Sequence, residues 1–224
     1  MKDIGLLNEK PLHASLKAWY AQPGDRFEVA VDGFVIDIVR GDLLLEIQTG
    51  NFASIKSKLR ELVCDHQIRL VYPIAREKWI VKQEEDAETR RKSPRRGRVE
   101  EMFRELVSFP HLLANRSFSL EVLLTREEEV RRYVGTRQWR RRGWGIEERR
   151  LLGVVERRLF GKGTDLLTLL PEKTGEQFTA KDLAEAMGIS RPLAQKMVYC
   201  LHKASAIELT GKRGRANLYA VAAL

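Results

Sequence analysis

The chain of 224 residues contains only two cysteines, Cys64 and Cys200, and both fall in segments with helical periodicity. Their number and separation exclude a disulfide framework and a cysteine-rich zinc site, and we expect both thiols to lie in the core. The sequence also lacks any run that approaches the roughly 18 consecutive apolar residues of a membrane-spanning helix. Residues 1–12 lack the basic and then apolar pattern of a secretory signal, so we expect a cytoplasmic protein without membrane contact.

The composition is that of a folded but basic protein. Hydrophobic residues make up 43% of the sequence and charged residues 32%, which excludes a generally disordered chain. Forty lysines and arginines against 31 acidic residues give a net charge of +9, which favours a polyanionic partner. This charge is uneven, because residues 1–75 carry nine basic against ten acidic residues, whereas residues 126–163 carry 12 against six.

Two basic segments lie in the middle of the chain, at residues 90–98 and 137–150. In the second segment arginines alternate with Trp139 and Trp144. Arginine beside aromatic side chains suits phosphate contacts and base stacking, so we predict nucleic-acid binding. The alternative is that both runs are solvated loops that keep the protein in solution. The candidate DNA contacts here are Arg91, Lys92, Arg95, Arg96, Arg98, Arg140, Arg141 and Arg142.

The first 83 residues predict a mixed α/β unit. An amphipathic helix at residues 8–20 precedes two β-rich runs joined at Asp32-Gly33, and Asp-Gly is a strong hairpin signal. Residues 43–48 are nearly all apolar and predict a central strand. A strand, a helix and another strand in succession indicate a right-handed crossover, and hence a mixed sheet flanked by helices. The later predicted elements are a helix at 52–64 and strands at 68–74 and 79–82.

The remaining chain is expected to form a basic middle segment (84–163) and a C-terminal domain (164–224). In the middle segment we predict an exposed loop at 84–98, a helix at 99–108, a strand at 119–124, a helix that begins after Thr125 and a helix at 147–160. In the C-terminal domain Thr179 and Ser190 are positioned to cap two helices, separated by Gly188. Two strands around the basic tip at residues 211–215 complete the pattern.

Three polar residues of the first unit are placed for chemistry. Asp37 lies on one predicted strand, and Glu46 and Gln48 lie on the next. Residues two apart on a strand face the same side, so Glu46 and Gln48 point together and a neighbouring strand can bring Asp37 beside them. Two carboxylates at a strand edge form a hard-oxygen site of the kind that Mg²⁺ prefers. The alternative makes Asp37 a turn residue and Glu46 a surface carboxylate.

These residues resemble the PD-(D/E)XK nuclease superfamily over about residues 5–74. Glu9 matches the glutamate of the preceding helix, Asp37 the motif aspartate, and Glu46 with Gln48 the Glu-x-Lys pair. The resemblance implies a restriction-endonuclease-like fold and DNA cleavage that depends on Mg²⁺, with Mn²⁺ as an alternative ion. It implies Asp37 and Glu46 as metal ligands, Gln48 as the group that places the attacking water and Glu9 as an auxiliary catalytic residue.

The departure from the family lies at Gln48, where most members have lysine. Glutamine can hydrogen-bond a water molecule but carries no positive charge. Lys56 or Lys58 on the following predicted helix could supply that charge. His13 and His66 are isolated, and we interpret both as structural residues.

Residues 165–224 resemble the winged helix-turn-helix DNA-binding domains. The resemblance implies that the helix after Ser190 enters the major groove and that the basic tip contacts the phosphate backbone or the minor groove. The alternative is a winged helix used for protein contacts. The candidate DNA contacts are Ser190, Arg191, Gln195, Lys196, Lys212, Arg213 and Arg215.

The sequence thus predicts a DNA-binding protein with a magnesium-dependent endonuclease-like domain (1–83), a basic middle segment and a mostly helical winged-helix domain. Such an enzyme would act in DNA repair, recombination, transposition or defence. One alternative is a non-enzymatic DNA-binding or regulatory protein with a degenerate nuclease fold. Another is a module directed to RNA or to other proteins. Cleavage of both strands would require a homodimer or a partner protein.

Overall fold

The computed structural model describes residues 10–84, 87–135, 143–172 and 174–222. The helices are α1 (Pro11–Tyr20), α2 (Lys56–Leu62), α3 (Phe103–Leu106), α4 (Ala180–Met187) and α5 (Arg191–Lys203). Short 3₁₀ turns cover Phe52–Ile55, Val99–Met102, Pro110–Ala114 and Gly163–Leu169. The strands are β1 (Arg26–Val31), β2 (Phe34–Arg40), β3 (Leu43–Ile47), β4 (Gln67–Gln83), β5 (Glu88–Lys92), β6 (Phe118–Tyr133), β7 (Trp144–Phe160), β8 (Ile207–Arg213) and β9 (Ala216–Val221).

Seven of the described strands form one mixed sheet, in which six follow the order β1-β2-β3-β4-β6-β7 and the seventh, β5, pairs with β4 outside this order. Strands β1 to β3 form an antiparallel meander, and β3 then pairs in parallel with β4 after the crossover through α2. Strand β4 is long enough to pair with β3 along its first half and with β5 along its second. The chain is therefore a mixed α/β protein with a large sheet flanked by helices, as the sequence predicts.

Helix α1 covers one face of the sheet. Leu12, Leu16 and Tyr20 pack on an apolar cluster that Ile38, Leu45, Ile47, Val71 and Leu123 supply from four strands. Tyr20 also donates a hydrogen bond to the buried carboxylate of Glu121, which accepts a second bond from Arg157 at 2.6 Å. Because a buried carboxylate needs such partners, these bonds fix the C-terminal end of α1 on β6 and β7.

The opposite face is covered by a larger core that includes the C-terminal segment. Phe52, Leu59 and Phe103 pack against the sheet together with Leu193 and Met197 of α5. Phe52 and Phe109 stack with a ring-centroid distance of 5.2 Å. The helices α2, α3 and α5 therefore bury their apolar sides in one continuous core, which holds α5 on the main sheet.

Several local predictions are confirmed. Asp32 and Gly33 both have positive φ, at 48° and 82°, and they join β1 to β2 as the Asp-Gly signal predicts. Thr179 caps α4 by accepting hydrogen bonds from the amides of Lys181 and Asp182, and Gly188 ends that helix at a φ of 61°. These positions depend on short-range backbone chemistry, so the neighbouring residues suffice to predict them. Ser190 occupies the N-cap position of α5, but its side chain accepts no capping hydrogen bond.

The middle segment differs most from its prediction. The helices expected after Thr125 and at residues 147–160 are instead parts of β6 and β7, which pair over most of their length. Part of the loop expected at 84–98 is β5, and the two strands expected between residues 68 and 82 are one strand, β4. Glutamate, arginine and leucine favour helices when isolated, but continuous pairing with a neighbouring strand outweighs that preference.

The prediction that both cysteines lie in the core is confirmed for one of them. Cys200 is buried, whereas Cys64 is exposed.

The C-terminal segment contains α4 and α5 followed by the two-stranded sheet β8–β9, with the basic residues 212–215 at its turn. The prediction of a mostly helical domain is met only in part, since residues 207–213 and 216–221 are strands. In the described residues no helix has the length and apolar character to cross a membrane.

Candidate active site

Asp37 lies where β2 and β3 cease to pair. The ladder between these strands ends at the pair Ile38 and Leu45. One residue further along, the Asp37 carboxylate accepts a hydrogen bond of 2.7 Å from the backbone amide of Ile47. The side chain thus takes the place of a strand-to-strand hydrogen bond, which fixes the carboxylate at the edge of the sheet.

Helix α1 adds a histidine to this edge. His13 Nε2 lies 3.2 Å from Asp37 Oδ2, and both side chains are only partly exposed. The sequence led us to interpret His13 as structural, because nothing in a helix at residues 8–20 indicates which strand it will face. The packing of α1 on β3 and β7 brings His13 to Asp37, so the histidine belongs to the candidate site.

Glu46 lies on β3 beside Asp37 and is 6% exposed. Its carboxylate forms an ion pair with the Nζ of Lys58, on α2. Lys58 Nζ also donates to the carbonyl oxygen of Val35 at 2.5 Å, which ties α2 to β2. Glu46 is therefore neither a surface carboxylate nor an unpaired buried charge.

The electrostatics of this edge centre on Glu46. Burial, followed by repulsion from the negative charge of Asp37, raises the pKa of Glu46 to about 7, although Lys58 opposes the shift. A carboxylate whose pKa lies near neutrality can exchange a proton under physiological conditions, and it gains from any added positive charge. A divalent cation would supply that charge.

Gln48 occupies the position of the family's lysine but does not point freely into the site. Its backbone amide donates to Val71 at 2.9 Å, and its side-chain amide donates to the carbonyl of Asn51 and the hydroxyl of Ser54. The side chain thus stabilises the turn before α2. Of the two lysines considered on α2, Lys58 contacts Glu46, and no such contact joins Lys56 to it among the described residues.

Asp37 and Glu46 are the side chains at this edge that could hold a magnesium ion. Asp37 and Glu46 provide two carboxylates, and Mg²⁺ is commonly held by one or two carboxylates, with water and substrate phosphate completing the shell. Within the described ranges no group of three or more acidic, histidine or cysteine side chains is arranged around a common point. Glu9, the predicted auxiliary residue, lies outside the described residues.

The basic candidates of the middle segment are mostly ion-paired. Lys92 pairs with Glu77, Arg95 with Glu101 and Arg98 with Glu100, at 2.6 to 3.0 Å. Arg98 also donates to the carbonyl of Met187, so it links the middle segment to α4. Arg91 and Arg96 are exposed, whereas Arg140, Arg141 and Arg142 lie outside the described residues.

The C-terminal candidates form two groups. Ser190, Arg191 and Gln195 are exposed at the start of α5, and Lys212 and Arg215 are exposed at the turn between β8 and β9. The remaining two side chains contact the protein itself, since Lys196 donates to the carbonyl of Arg104 and Arg213 pairs with Asp182.

Two further site features were not found from the sequence. They are a cavity beside Tyr72 and the cations Arg104 and Arg149 that line it. Both arginines come from segments far from β3 in the chain, and Arg149 was assigned to a helix. The pairing of β7 with β6, and of β6 with β4, brings Arg149 to this cavity, and the packing of α3 in the core brings Arg104 there.

Comparison with known proteins identifies the family. A family described as a domain of unknown function, DUF8091, matches residues 10–161, from α1 to the end of β7. An uncharacterized protein of Treponema pallidum (strain Nichols) is 31% identical over 222 residues, which cover 96% of this chain and 86% of that protein. No solved structure matches the chain significantly. The chain therefore belongs to the DUF8091 family.

Proposed function

We propose that this protein is a DNA-binding, magnesium-dependent nuclease of the PD-(D/E)XK type. The observation that carries the proposal is the pair of adjacent carboxylates, Asp37 and Glu46, at the point where β2 and β3 diverge, with Lys58 bonded to the more buried of them. The pKa of about 7 for Glu46 supports a site that gains from a bound cation.

The order and pairing of the elements support the same proposal. Helix α1, the antiparallel strands β1 to β3, helix α2 and the parallel strand β4 follow one another in the sequence that the resemblance implies. Helices α1 and α2 lie on opposite faces of the sheet. Side chains from both helices therefore reach the edge where β2 and β3 diverge, as His13 and Lys58 do.

The roles of the residues follow from their contacts. Asp37 and Glu46 are the metal ligands, and a bound Mg²⁺ would polarise the phosphodiester and acidify a bound water. Lys58 favours the ionised form of Glu46 and provides the positive charge that Gln48 lacks. His13 Nε2 contacts the same oxygen of Asp37, at 3.2 Å, that accepts the backbone amide of Ile47, and so helps to hold this carboxylate in place. The amide nitrogen of Gln48 donates to Asn51 and Ser54, so its amide oxygen is the group left to accept a hydrogen bond from a water.

The C-terminal segment would act as the winged-helix DNA-binding part. The exposed residues at the start of α5 and at the β8–β9 turn are polar or basic, and such side chains contact bases and phosphates in winged-helix proteins. Because α5 also packs in the common core, a duplex held there would sit at a fixed orientation to the carboxylate edge.

A second candidate function is non-enzymatic DNA binding with a degenerate nuclease fold. The observation that favours it is the engagement of Gln48 by Asn51 and Ser54, together with the ion pair that already neutralises Glu46. In that case Lys58 would fill the place of a metal ion and α2 would close the site.

A nicking assay separates the two functions. Wild type, Asp37→Asn and Glu46→Gln are incubated with Mg²⁺ on supercoiled, linear, branched and single-stranded DNA, with EDTA as the blank. Asp42→Asn is the matched control, because Asp42 is an exposed carboxylate on the neighbouring turn. Cleavage by wild type and the control but not by the two variants supports the nuclease. An absence of cleavage on every substrate, with DNA binding unchanged in both variants, contradicts it.

A further inference from the structure

Beside the carboxylate edge lies a cavity of about 440 Å³, here called the Tyr72 cavity. Tyr72 projects from β4 two residues beyond Leu70, the cross-strand partner of Glu46. Residues two apart on a strand share a face and are about 7 Å apart, so the cavity opens on the same face as Glu46. Thr49, the residue after Gln48, forms part of its wall.

The acidic side chains of the Tyr72 cavity already have partners. Glu129 binds Lys78 and Arg131, Glu101 binds Arg95, and Glu105 accepts the amide of Phe52. Behind the wall, Glu127 accepts two hydrogen bonds from Arg149. These carboxylates therefore offer little to a cation in the cavity.

Several hydrogen-bond donors of the same cavity have no partner. Within the described part of the chain, no acceptor contacts the guanidinium of Arg104, the hydroxyl of Tyr72 or the hydroxyl of Thr49. Arg149 uses Nε and Nη2 for Glu127, which leaves its Nη1 group for another acceptor. Burial raises the pKa of Tyr72 to about 12, so its hydroxyl keeps its proton at every physiological pH. An excess of donors over acceptors fits an acceptor-rich ligand such as a phosphate.

A second cavity adjoins the Tyr72 cavity. It has a volume of about 460 Å³, shares Thr49 and Arg149 with the Tyr72 cavity and reaches Lys10, beside the start of α1. The loop between β3 and α2 separates the two cavities and follows directly after Glu46 and Gln48. The two cavities together form a path beside the loop that follows Glu46, although neither Asp37 nor Glu46 lines it.

We propose that this path binds one unpaired strand of nucleic acid, with a phosphate next to the reacting one held by Arg104, Arg149 and Tyr72. The proposal rests on the proposed nuclease function and specifies its substrate. Each cavity is large enough for one nucleotide, and the two cavities share Thr49 and Arg149 in their walls. Proteins that bind single strands combine cationic grooves with aromatic side chains. Arg104, Arg149 and Tyr72 supply that combination in the Tyr72 cavity, whereas the second cavity is lined both by cations and by the carboxylates of Glu147 and Glu148.

The test measures affinity in EDTA, so that it does not depend on cleavage. Fluorescently labelled 15-nucleotide single-stranded DNA, single-stranded RNA and duplex DNA are titrated with the full chain at one salt concentration. Arg104→Ala should weaken binding of the single strands about tenfold and of the duplex less than about twofold, because winged-helix contacts serve the duplex. Tyr72→Phe, which keeps the ring against Phe52, should weaken only the single strands.

The control is Arg116→Ala, which removes an equally exposed charge from a loop outside the cavity. Equal losses for Arg104→Ala and Arg116→Ala, or equal losses for single strands and duplex, would overturn the single-strand site. The single strand that binds more tightly, DNA or RNA, is identified as the nucleic acid that the path binds. If the protein binds single strands selectively but cleaves none of them, the single-strand site stands and the nuclease function is refuted. If the protein cleaves DNA but Arg104→Ala binds single strands as wild type does, the nuclease function stands and the single-strand site is refuted.

Discussion

Lys58 of α2 and Glu46 of β3 form an ion pair across the crossover connection, and both side chains are largely shielded from water. The pair links the helix that follows β3 to the strand that carries the candidate ligand. The ion pair affects the stability of the protein and the protonation of Glu46, and it bears on the proposed cleavage.

Glu46→Gln should change how stability depends on pH. The pKa of Glu46 is raised from about 4.5 to about 7 in the folded state, mainly by burial, so its contribution to stability is complete below pH 4.5 and is lost as the pH rises through 7. The free energy of unfolding of Glu46→Gln relative to wild type should therefore increase by about 3 kcal/mol between pH 4 and pH 8. Urea denaturation at several pH values measures it. For the control Glu61→Gln, at an exposed position on α2, the difference from wild type in the free energy of unfolding should not change with pH. A difference that does not change with pH for Glu46→Gln would contradict the buried environment of Glu46.

Lys58→Met should raise the pKa of Glu46 further, because the ammonium group is the main opposing influence on that carboxylate. If the chain is a nuclease, its cleavage rate at pH 7 should fall by about a hundredfold, and the pH profile should shift to higher pH. Lys56→Met removes the same charge two residues earlier and serves as the control. A profile unchanged by Lys58→Met would show that Lys58 has no part in the reaction.

The Glu129 carboxylate should stabilise the protein at neutral pH. Burial alone would raise its pKa, but hydrogen bonds from Lys78 and Arg131 outweigh burial, and the pKa is lowered. Its stabilisation is therefore present above the unfolded pKa of about 4.5 and disappears as the pH falls through the folded value.

Lys78→Met would leave Glu129 with Arg131 alone and should reduce stability at pH 7 by roughly 2 to 4 kcal/mol. Thermal unfolding at pH 7 and pH 3 measures the loss, which should be smaller at pH 3. Lys203→Met, at an exposed position of α5, is the comparison. An equal loss of stability in Lys78→Met and Lys203→Met would mean that the ion pair between Lys78 and Glu129 does not stabilise the protein.

Gly163→Ala should disturb the attachment of the C-terminal segment. A Cβ atom at Gly163 would overlap the carbonyl of Ala204, just after α5, and backbone cannot yield as a flexible side chain does. We expect a loss of about 1 to 3 kcal/mol, which unfolding by urea would show. At Gly161 the nearest contact of a Cβ is an ordinary 3.7 Å, so Gly161→Ala should be nearly neutral. Equal stability of the two variants would contradict the close packing of Gly163 on Ala204.

Much of the first 83 residues could be predicted because local signals and hydrophobic pattern agree there. The Asp32-Gly33 turn needs only two residues with positive φ, and the apolar run of β3 needs burial on both faces. The strand β7 could not be predicted in this way. Its arginines and glutamates favour a helix by propensity, and only pairing with β6, together with contacts such as Arg149 to Glu127, makes the extended form stable.

The candidate site shows the same limit. Asp37 and Glu46 were selected from the sequence because their spacing places them on adjacent strands, and the structure does place them side by side. His13, Lys58 and the donors of the Tyr72 cavity come from other elements, so their positions depend on the packing of α1, α2 and the long strands.

The sequence by itself determined the hairpin, the cap of α4, the central strand and the pair of candidate ligands, since each depends on residues close together in the chain. Only the tertiary structure decided that Lys58 neutralises Glu46, that the arginine-rich segment at residues 144–160 is a strand and that the C-terminal helices share the core of the sheet. The physical reason is that burial, ion pairing and strand pairing join residues far apart in the chain, and these contacts outweigh local preference wherever the two conflict.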